Sequence, residues 1–181
     1  MQVDRDGYRF ETERLRCGPW IEEAARAGVD LERTVAELLT PGTTALLPET
    51  WHGEFTLYRA RAWIAEREGD STTLLVTETA TGQPVGLVIL AVVPVEGGAA
   101  DLRIGYLLSE SRHGRGLGSE LLAGLVEWAR NVPAIASLSG GVDPSNAASI
   151  RMLERAGFRR VKGEGGDELV FRLDVGGKLD R

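Results

Sequence analysis

Tyr106-Leu107-Leu108, an apolar strand end, leads through Ser109 to Arg112 into His113-Gly114-Arg115-Gly116-Leu117-Gly118, where an amphipathic helix begins. Glycines at alternate positions let successive backbone N–H groups turn toward one point, and the positive end of the following helix dipole faces the same point. The junction reads as a cradle for a phosphate or pyrophosphate. The plainer alternative is a tight strand-to-helix connection. Spacing excludes two familiar phosphate motifs. The loop of nucleotide hydrolases needs Lys and then Ser or Thr after its last glycine, whereas Gly118 is followed by Ser119 and Glu120. The dinucleotide fingerprint needs a third glycine where Ser119 stands.

Outward from this turn, element types alternate. Downstream, residues 116–130 place Gly118, Leu121, Leu122, Leu125, Val126 and Ala129 on one helical face, which predicts packing on a sheet. A short strand over 135–142, a helix over 146–156 stopped by Gly157, and a last strand over 168–175 follow. Upstream, residues 10–17 read as one strand, 20–27 and 31–39 as short helices broken by Gly28 and ended by Pro41-Gly42, and 43–54 as turn-rich. Apolar spacing predicts a helix from Phe55 or Thr56 to Glu68, ended by Gly69-Asp70. Residues 72–79 and 85–93 form a hairpin about Ala80-Thr81-Gly82-Gln83-Pro84, and 101–108 continues the sheet after a turn over 94–100.

A chain of 181 residues is one domain's worth and can bury a core without disulfides or metals. Its single cysteine, Cys17, permits no internal disulfide, and two histidines, His52 and His113, show no metal-ligand spacing. No apolar run approaches the ~20 residues a membrane helix needs, and Met1 to Asp6 lack the layout of a secretory signal, so a cytoplasmic protein is expected. A net charge of −6 disfavours nonspecific nucleic-acid binding and suits a cationic amine as partner.

The glycine turn resembles the pyrophosphate-binding motif of the GNAT acyltransferase superfamily, in which Arg or Gln, two residues, Gly, one residue, then Gly or Ala bind coenzyme A. His113 stands where Arg or Gln is usual. A second segment, Asp143-Pro144-Ser145-Asn146 followed by Ser149, Leu153-Glu154 and Gly157-Phe158, resembles the superfamily's later motif. More narrowly it is similar to the branch of ribosomal-protein N-terminal acetyltransferases and their small-molecule relatives. Thr12-Glu13-Arg14-Leu15-Arg16 resembles that branch's opening strand, and the three segments span most of the chain in the expected order.

The resemblance implies a single-domain α/β (α+β) fold over residues 1–175, with a mixed, mostly antiparallel, splayed sheet flanked by helices and a frayed tail over 176–181. It also implies acetyl-CoA as co-substrate, without a metal. The pantetheine arm would lie against the backbone of Tyr106, Leu107 and Leu108, between that strand and residues 137–142. The pyrophosphate would sit on the amides of His113, Gly114, Arg115, Gly116, Leu117, Gly118 and Ser119, with Arg112 or Arg115 as charge partner; either arginine is equally a solvated loop charge. Asn146 would hold the pantetheine or cap its helix, roles that coexist.

For catalysis the branch often carries Glu where this chain has Arg103, before Ile104-Gly105-Tyr106. Asp101, two residues earlier and on the same strand face, is the expected substitute base acting through water; the alternative is a surface pair with Arg103 or a solvated strand end. Gly141 supplies no carboxylate where some relatives place Glu, and Leu153 replaces a Tyr that other relatives use as acid. Ser149 is the expected partner of the departing sulfur, or else a packing residue.

Trp20, Leu47, Trp51, His52, Phe55 and Tyr58 are candidates for the acceptor pocket, while Trp63 and Trp128 fit the core. The reading that follows is direct transfer of acetyl to a primary amine, a protein N-terminus or a small molecule, with Cys17 too far from the motifs for a thiol relay. A non-catalytic acyl-CoA sensor and a transferase of a longer acyl group remain open, as does a homodimer through an edge near residues 170–173.

Overall fold

The computed structural model describes residues 7–95, 98–163 and 167–176, so the expectations for Met1 to Asp6 and for the tail beyond Gly176 lie outside the described residues. One eight-stranded sheet organises the chain, in the order β1-β2-β3-β4-β5-β6-β8-β7. Its strands are β1 (Phe10–Glu11), β2 (Leu15–Pro19), β3 (Thr72–Glu78), β4 (Pro84–Pro94), β5 (Ala100–Leu108), β6 (Ile135–Val142), β7 (Arg159–Val161) and β8 (Leu169–Asp174). Every pairing is antiparallel except β5 with β6. The helices are α1 (Trp20–Ala27), α2 (Leu31–Leu38), α3 (Pro41–Thr44), α4 (Leu57–Asp70), α5 (Leu117–Arg130) and α6 (Ala147–Arg155). The mixed, largely antiparallel α+β plan expected from the motifs is the observed one.

Alternation along the strands divides the core between two faces. Leu102, Ile104 and Leu108 of β5 pack with Leu117, Leu121, Leu122, Leu125, Val126 and Ala129 of α5 and with Leu153 of α6. The opposite face sends Leu75, Leu87 and Leu107 against Trp20, Val35, Leu38, Phe55, Ala60 and Trp63. Each such side chain, once buried, contributes roughly 1.5–3 kcal/mol of transfer free energy, so α5 is fixed by its stripe far more than by helix propensity. Trp63 is buried as expected, and Trp128 is partly buried, its Nε1 donating to the Gly7 carbonyl at 3.0 Å.

The sheet opens at one end. β5 and β6 are in register only from Ala100 opposite Ile135 to Arg103 opposite Ser139. Beyond that, Leu108 stays paired with Gly86 of β4, and Val142 with Leu169 of β8. Each strand follows its outer neighbour, and the backbone from Ile104 to Leu108 is left with an edge facing a gap.

Several expectations are corrected. The strand over 10–17 is two strands in a hairpin, turned where the backbone N–H of Thr12 donates to the Leu15 carbonyl at 2.8 Å. Pro41-Gly42 begins α3 instead of only ending α2, because Thr40 and Thr43 close a reciprocal capping box around it. Gly69-Asp70 does not stop α4, which runs to Asp70 before Ser71 caps it. Arg159–Val161 forms the outermost strand, so β8 lies between β6 and β7 and Val170 to Arg172 are paired on both sides.

Candidate cofactor and acyl-transfer site

At the open end of the sheet lies a cavity of about 570 Å³. One wall is the end of β5, Tyr106, Leu107 and Leu108; the next is the glycine turn with the start of α5, from Arg112 to Gly114 and from Gly116 to Ser119. Asn146 and the exposed stripe of α6, including Ser149, Arg151, Met152 and Arg155, form a third side, and Gly42, Thr43, Leu46 and Leu47 close the fourth.

The turn has the backbone an anion cradle requires. Gly114 and Gly116 have φ of 73° and 76°, and Gly116 is the N-cap of α5, so the first amides of that helix are free of a side-chain cap. A Cβ on Gly118 would stand 3.0 Å from the Met152 sulfur, so glycine there lets α5 and α6 approach closely. His113, which departs from the motif, anchors the turn to the strand: its Nε2 lies 2.9 Å from the Leu108 carbonyl and carries the proton, since that oxygen can only accept. Arg112 is tied to Glu78 at 3.1 Å.

A second anchor comes from the hairpin at the other end of the chain. Glu120, in the first turn of α5, accepts from Thr12 Oγ1 at 2.6 Å, from the Arg14 backbone N–H at 2.8 Å and from Arg14 Nε at 2.6 Å. Arg14 Nη1 in turn donates to the Arg115 carbonyl at 3.1 Å. Burial alone would raise the Glu120 carboxyl, but the hydrogen bonds from Thr12 and Arg14 and the adjacent guanidinium hold it below the ordinary carboxylate value. The hairpin thus grips the turn from outside the cavity, which the motif reading did not foresee.

The expected cofactor residues Tyr106, Leu107, Leu108, His113, Gly114, Gly116, Leu117, Gly118, Ser119 and Asn146 all line this one cavity. Arg115 does not, its side chain being exposed outside the lining while its carbonyl receives Arg14. Asn146 caps α6 through Oδ1, which accepts from the Ser149 N–H at 3.1 Å, leaving its amide hydrogens for a ligand.

Ser149 lines the cavity beside Tyr106, with its hydroxyl near enough to the phenol to act on it. Burial raises the Tyr106 phenol above its ordinary value, with the Ser149 contact as the smaller, opposing influence, so the phenol stays protonated at neutral pH. The pairing of two hydroxyls was not legible while Tyr106 was read only for its backbone.

Asp101 is absent from the cavity lining. It is 8% exposed and forms neither a solvated strand end nor a pair with Arg103. One carboxylate oxygen accepts from Ser137 Oγ at 2.5 Å and the other from Ser139 Oγ. Ser139 lies opposite Arg103 in the last β5–β6 pair and, like Asp101, is buried and absent from the lining.

Of the acceptor candidates, Leu47 lines the cavity, Trp20 and Phe55 are core residues, and Trp51 packs edge-on against Trp63 with ring centres 5.0 Å apart. His52 Nε2 is 2.8 Å from the Leu47 carbonyl, which places it behind the wall, and Tyr58 is exposed. Gly42, Thr43 and Leu46 were missed because their nearness to the glycine turn is tertiary. No group of three or more metal-ligating side chains, and no helix long and apolar enough to cross a membrane, occurs among the described residues.

Comparison with known proteins agrees with this geometry. Residues 20–159 match the acetyltransferase (GNAT) domain family, and the chain belongs to that family. A 54-residue stretch is 41% identical to the kanamycin resistance protein of Rhizobium radiobacter, covering 30% of this chain and 50% of that protein. The curated relatives are thus matched over half their length or less. Among solved structures, a GNAT-family acetyltransferase from Bacillus anthracis superposes with a TM-score of 0.71 at 18% identity, over 92% of this chain and 98% of that one. RimL, a ribosomal L7/L12 alpha-N-protein acetyltransferase in complex with coenzyme A, superposes with a TM-score of 0.67 at 18% identity, over 91% and 96%. These superpositions establish the shared fold.

Proposed function

We propose that the protein is an acetyl-CoA-dependent N-acetyltransferase that acts on a primary amine, either a peptide N-terminus or a small-molecule amine, in the cytoplasm. The observation that carries this reading is the meeting, in one cavity, of the glycine turn, the unpaired edge of β5 and the Tyr106–Ser149 hydroxyl pair. The cavity fits the coenzyme chemically. The described residues that line it include no Asp or Glu, although the chain carries 27 acidic residues against 21 basic ones.

Acetyl-CoA supplies the activated acyl group; the protein must position it, stabilise an oxyanion, protonate the thiolate and receive the amine proton. The amides of Gly116 to Ser119 bind the pyrophosphate, and the free edge of Ile104 to Leu108 pairs with the pantetheine and offers N–H groups to the carbonyl oxygen. An oxyanion donor of this kind contributes about 2.7–4 kcal/mol. Ser149, backed by the protonated Tyr106, donates to the departing sulfur. Asp101 acts behind Ser139 at the closed end of the gap: as the nitrogen attacks, Ser139 Oγ takes the amine proton while its own hydrogen passes to the Asp101 carboxyl it already donates to.

Calorimetry with acetyl-CoA, paired with thiol release across amines and short peptides, tests the reading. Binding with acceptor-dependent release supports it, and no binding ends it. A second reading, a non-catalytic acyl-CoA sensor, is favoured by the absence of a carboxylate among the described lining residues; it requires binding without release for any acceptor.

A further inference from the structure

Along α6, the residues that face the cavity are Ala148, Ser149, Arg151, Met152 and Arg155, spaced three and four apart so that they form one stripe. Two contacts fix how this stripe lies against the rest of the site. Ser149 meets Tyr106 at the strand end, and Met152 abuts Gly118 in the first turn of α5. Arg155 lies almost one turn beyond Met152, on the side away from Ser149, with Arg151 beside them.

The charge at this end is unbalanced. Three arginines line the cavity, and Arg112 is neutralised by Glu78. Arg151 and Arg155 form no ion pair or hydrogen bond among the described residues, in a protein whose net charge is −6. Like charges at i and i+4 on a helix repel each other, so the pair costs stability unless an anion lies across it. The glycine turn accounts for one anion, the pyrophosphate; the arginines lie outside that turn and suit another.

We propose that Arg151 and Arg155 form a second phosphate site which reads the 3′-phosphate of coenzyme A, so that the protein distinguishes coenzyme A from its dephospho form. The proposal rests on the acetyl-CoA reading above. Guanidinium suits this task because it stays charged at every working pH and meets phosphate oxygens with a planar fork of donors.

The test measures dissociation constants of coenzyme A and 3′-dephospho-coenzyme A by calorimetry at fixed salt, for the unaltered protein and for Arg151→Gln, Arg155→Gln and the double variant. Both positions are exposed, and thermal unfolding checks that each variant is folded. The expected result is tighter binding of coenzyme A by about tenfold or more, a ratio that collapses toward one in the double variant while dephospho-coenzyme A binds all forms alike. Equal affinity of the unaltered protein for both ligands overturns the proposal, as does a double variant that weakens both ligands by the same factor. Failure of the unaltered protein to bind either ligand instead overturns the acetyl-CoA reading on which it rests.

Discussion

Glu120→Gln tests whether the N-terminal hairpin holds the phosphate turn. The wild-type carboxylate receives Thr12 Oγ1, the Arg14 N–H and the Arg14 guanidinium, and its side chain is 17% exposed. Glutamine keeps one acceptor oxygen but turns an amide N–H₂ toward a guanidinium that can only donate. Hydrogen bonds to charged groups contribute about 1.5–3 kcal/mol and neutral ones about 0.5–1.5. Arg14 is 48% exposed, so its share is discounted for solvent screening. The expected loss of stability is about 1–2 kcal/mol by urea unfolding at pH 7. Arg14, freed from Glu120, also loosens its hold on the Arg115 carbonyl, so the dissociation constant for acetyl-CoA rises severalfold. The pH dependence has a definite sign. The folded-state carboxyl lies below its unfolded value of about 4.3, so the stabilisation is full above that value and is lost as pH falls through the lower, folded one. The variant therefore lacks that part of the acid limb. A variant within about 0.5 kcal/mol of wild type, with unchanged coenzyme affinity and the same acid limb, refutes the idea that the hairpin grips the turn.

Gly116→Ala places a Cβ at φ 76° and is expected to cost roughly 1–2 kcal/mol and to weaken acetyl-CoA binding, measured by unfolding and calorimetry. Ser149→Ala and Tyr106→Phe each lower kcat by about tenfold, with little change in coenzyme affinity, if the hydroxyl pair protonates the sulfur; stopped assays of thiol release decide it, and an unchanged kcat removes the pair from the chemistry. Glu110→Gln weakens the link in which Thr40 Oγ1 donates to Glu110 at 2.6 Å, so the segment bearing Gly42 to Leu47 loosens and KM for acetyl-CoA rises while kcat holds. With no carboxylate base among the described lining residues, kcat/KM for the acceptor rises about tenfold per pH unit until the acceptor itself is neutral, near 8 for an α-amine; an earlier plateau reveals a base in the site.

Elements with local punctuation were legible in the sequence. α1 ends at Gly28 with φ 69°, and α6 begins at the Asn146 cap and is followed by Gly157 with φ 91°, so both were read within one residue at each end. β7 was not legible: all its residues are exposed, so no alternation marks Arg159 to Val161, and only the pairing with β8 makes it a strand. The hairpin at Thr12 was missed for a related reason, since its turn has no glycine or proline and is secured by Glu120, 108 residues away. The site divides the same way. The glycine turn, Asn146 and Ser149 are contiguous motifs, whereas the closing segment from Gly42 to Leu47 and the Tyr106–Ser149 pair depend on how α3 and α6 pack.

Arg103 at the strand position where a carboxylate was sought directs attention to the closed end of the gap. Asp101, the nearest substitute along β5, satisfies both its oxygens with Ser137 and Ser139, and a buried carboxylate so bonded is costly to remove and poorly placed to meet a substrate directly. Ser139 shares the last register pair with Arg103, and a Cβ on Gly105, just beyond it, would meet nothing within 4 Å. The space next to the end of the β5–β6 pairing is therefore open on the β5 side, and Ser139 at that end is buried with its hydroxyl bonded to Asp101. In the proposed mechanism an amine brought to this end would meet a serine whose hydrogen is engaged by Asp101, an arrangement suited to accepting an N–H. In the mechanism proposed above, proton handling then rests on hydroxyls at both ends of the transfer: Ser139 on the acceptor side and Ser149 with Tyr106 on the thiol side.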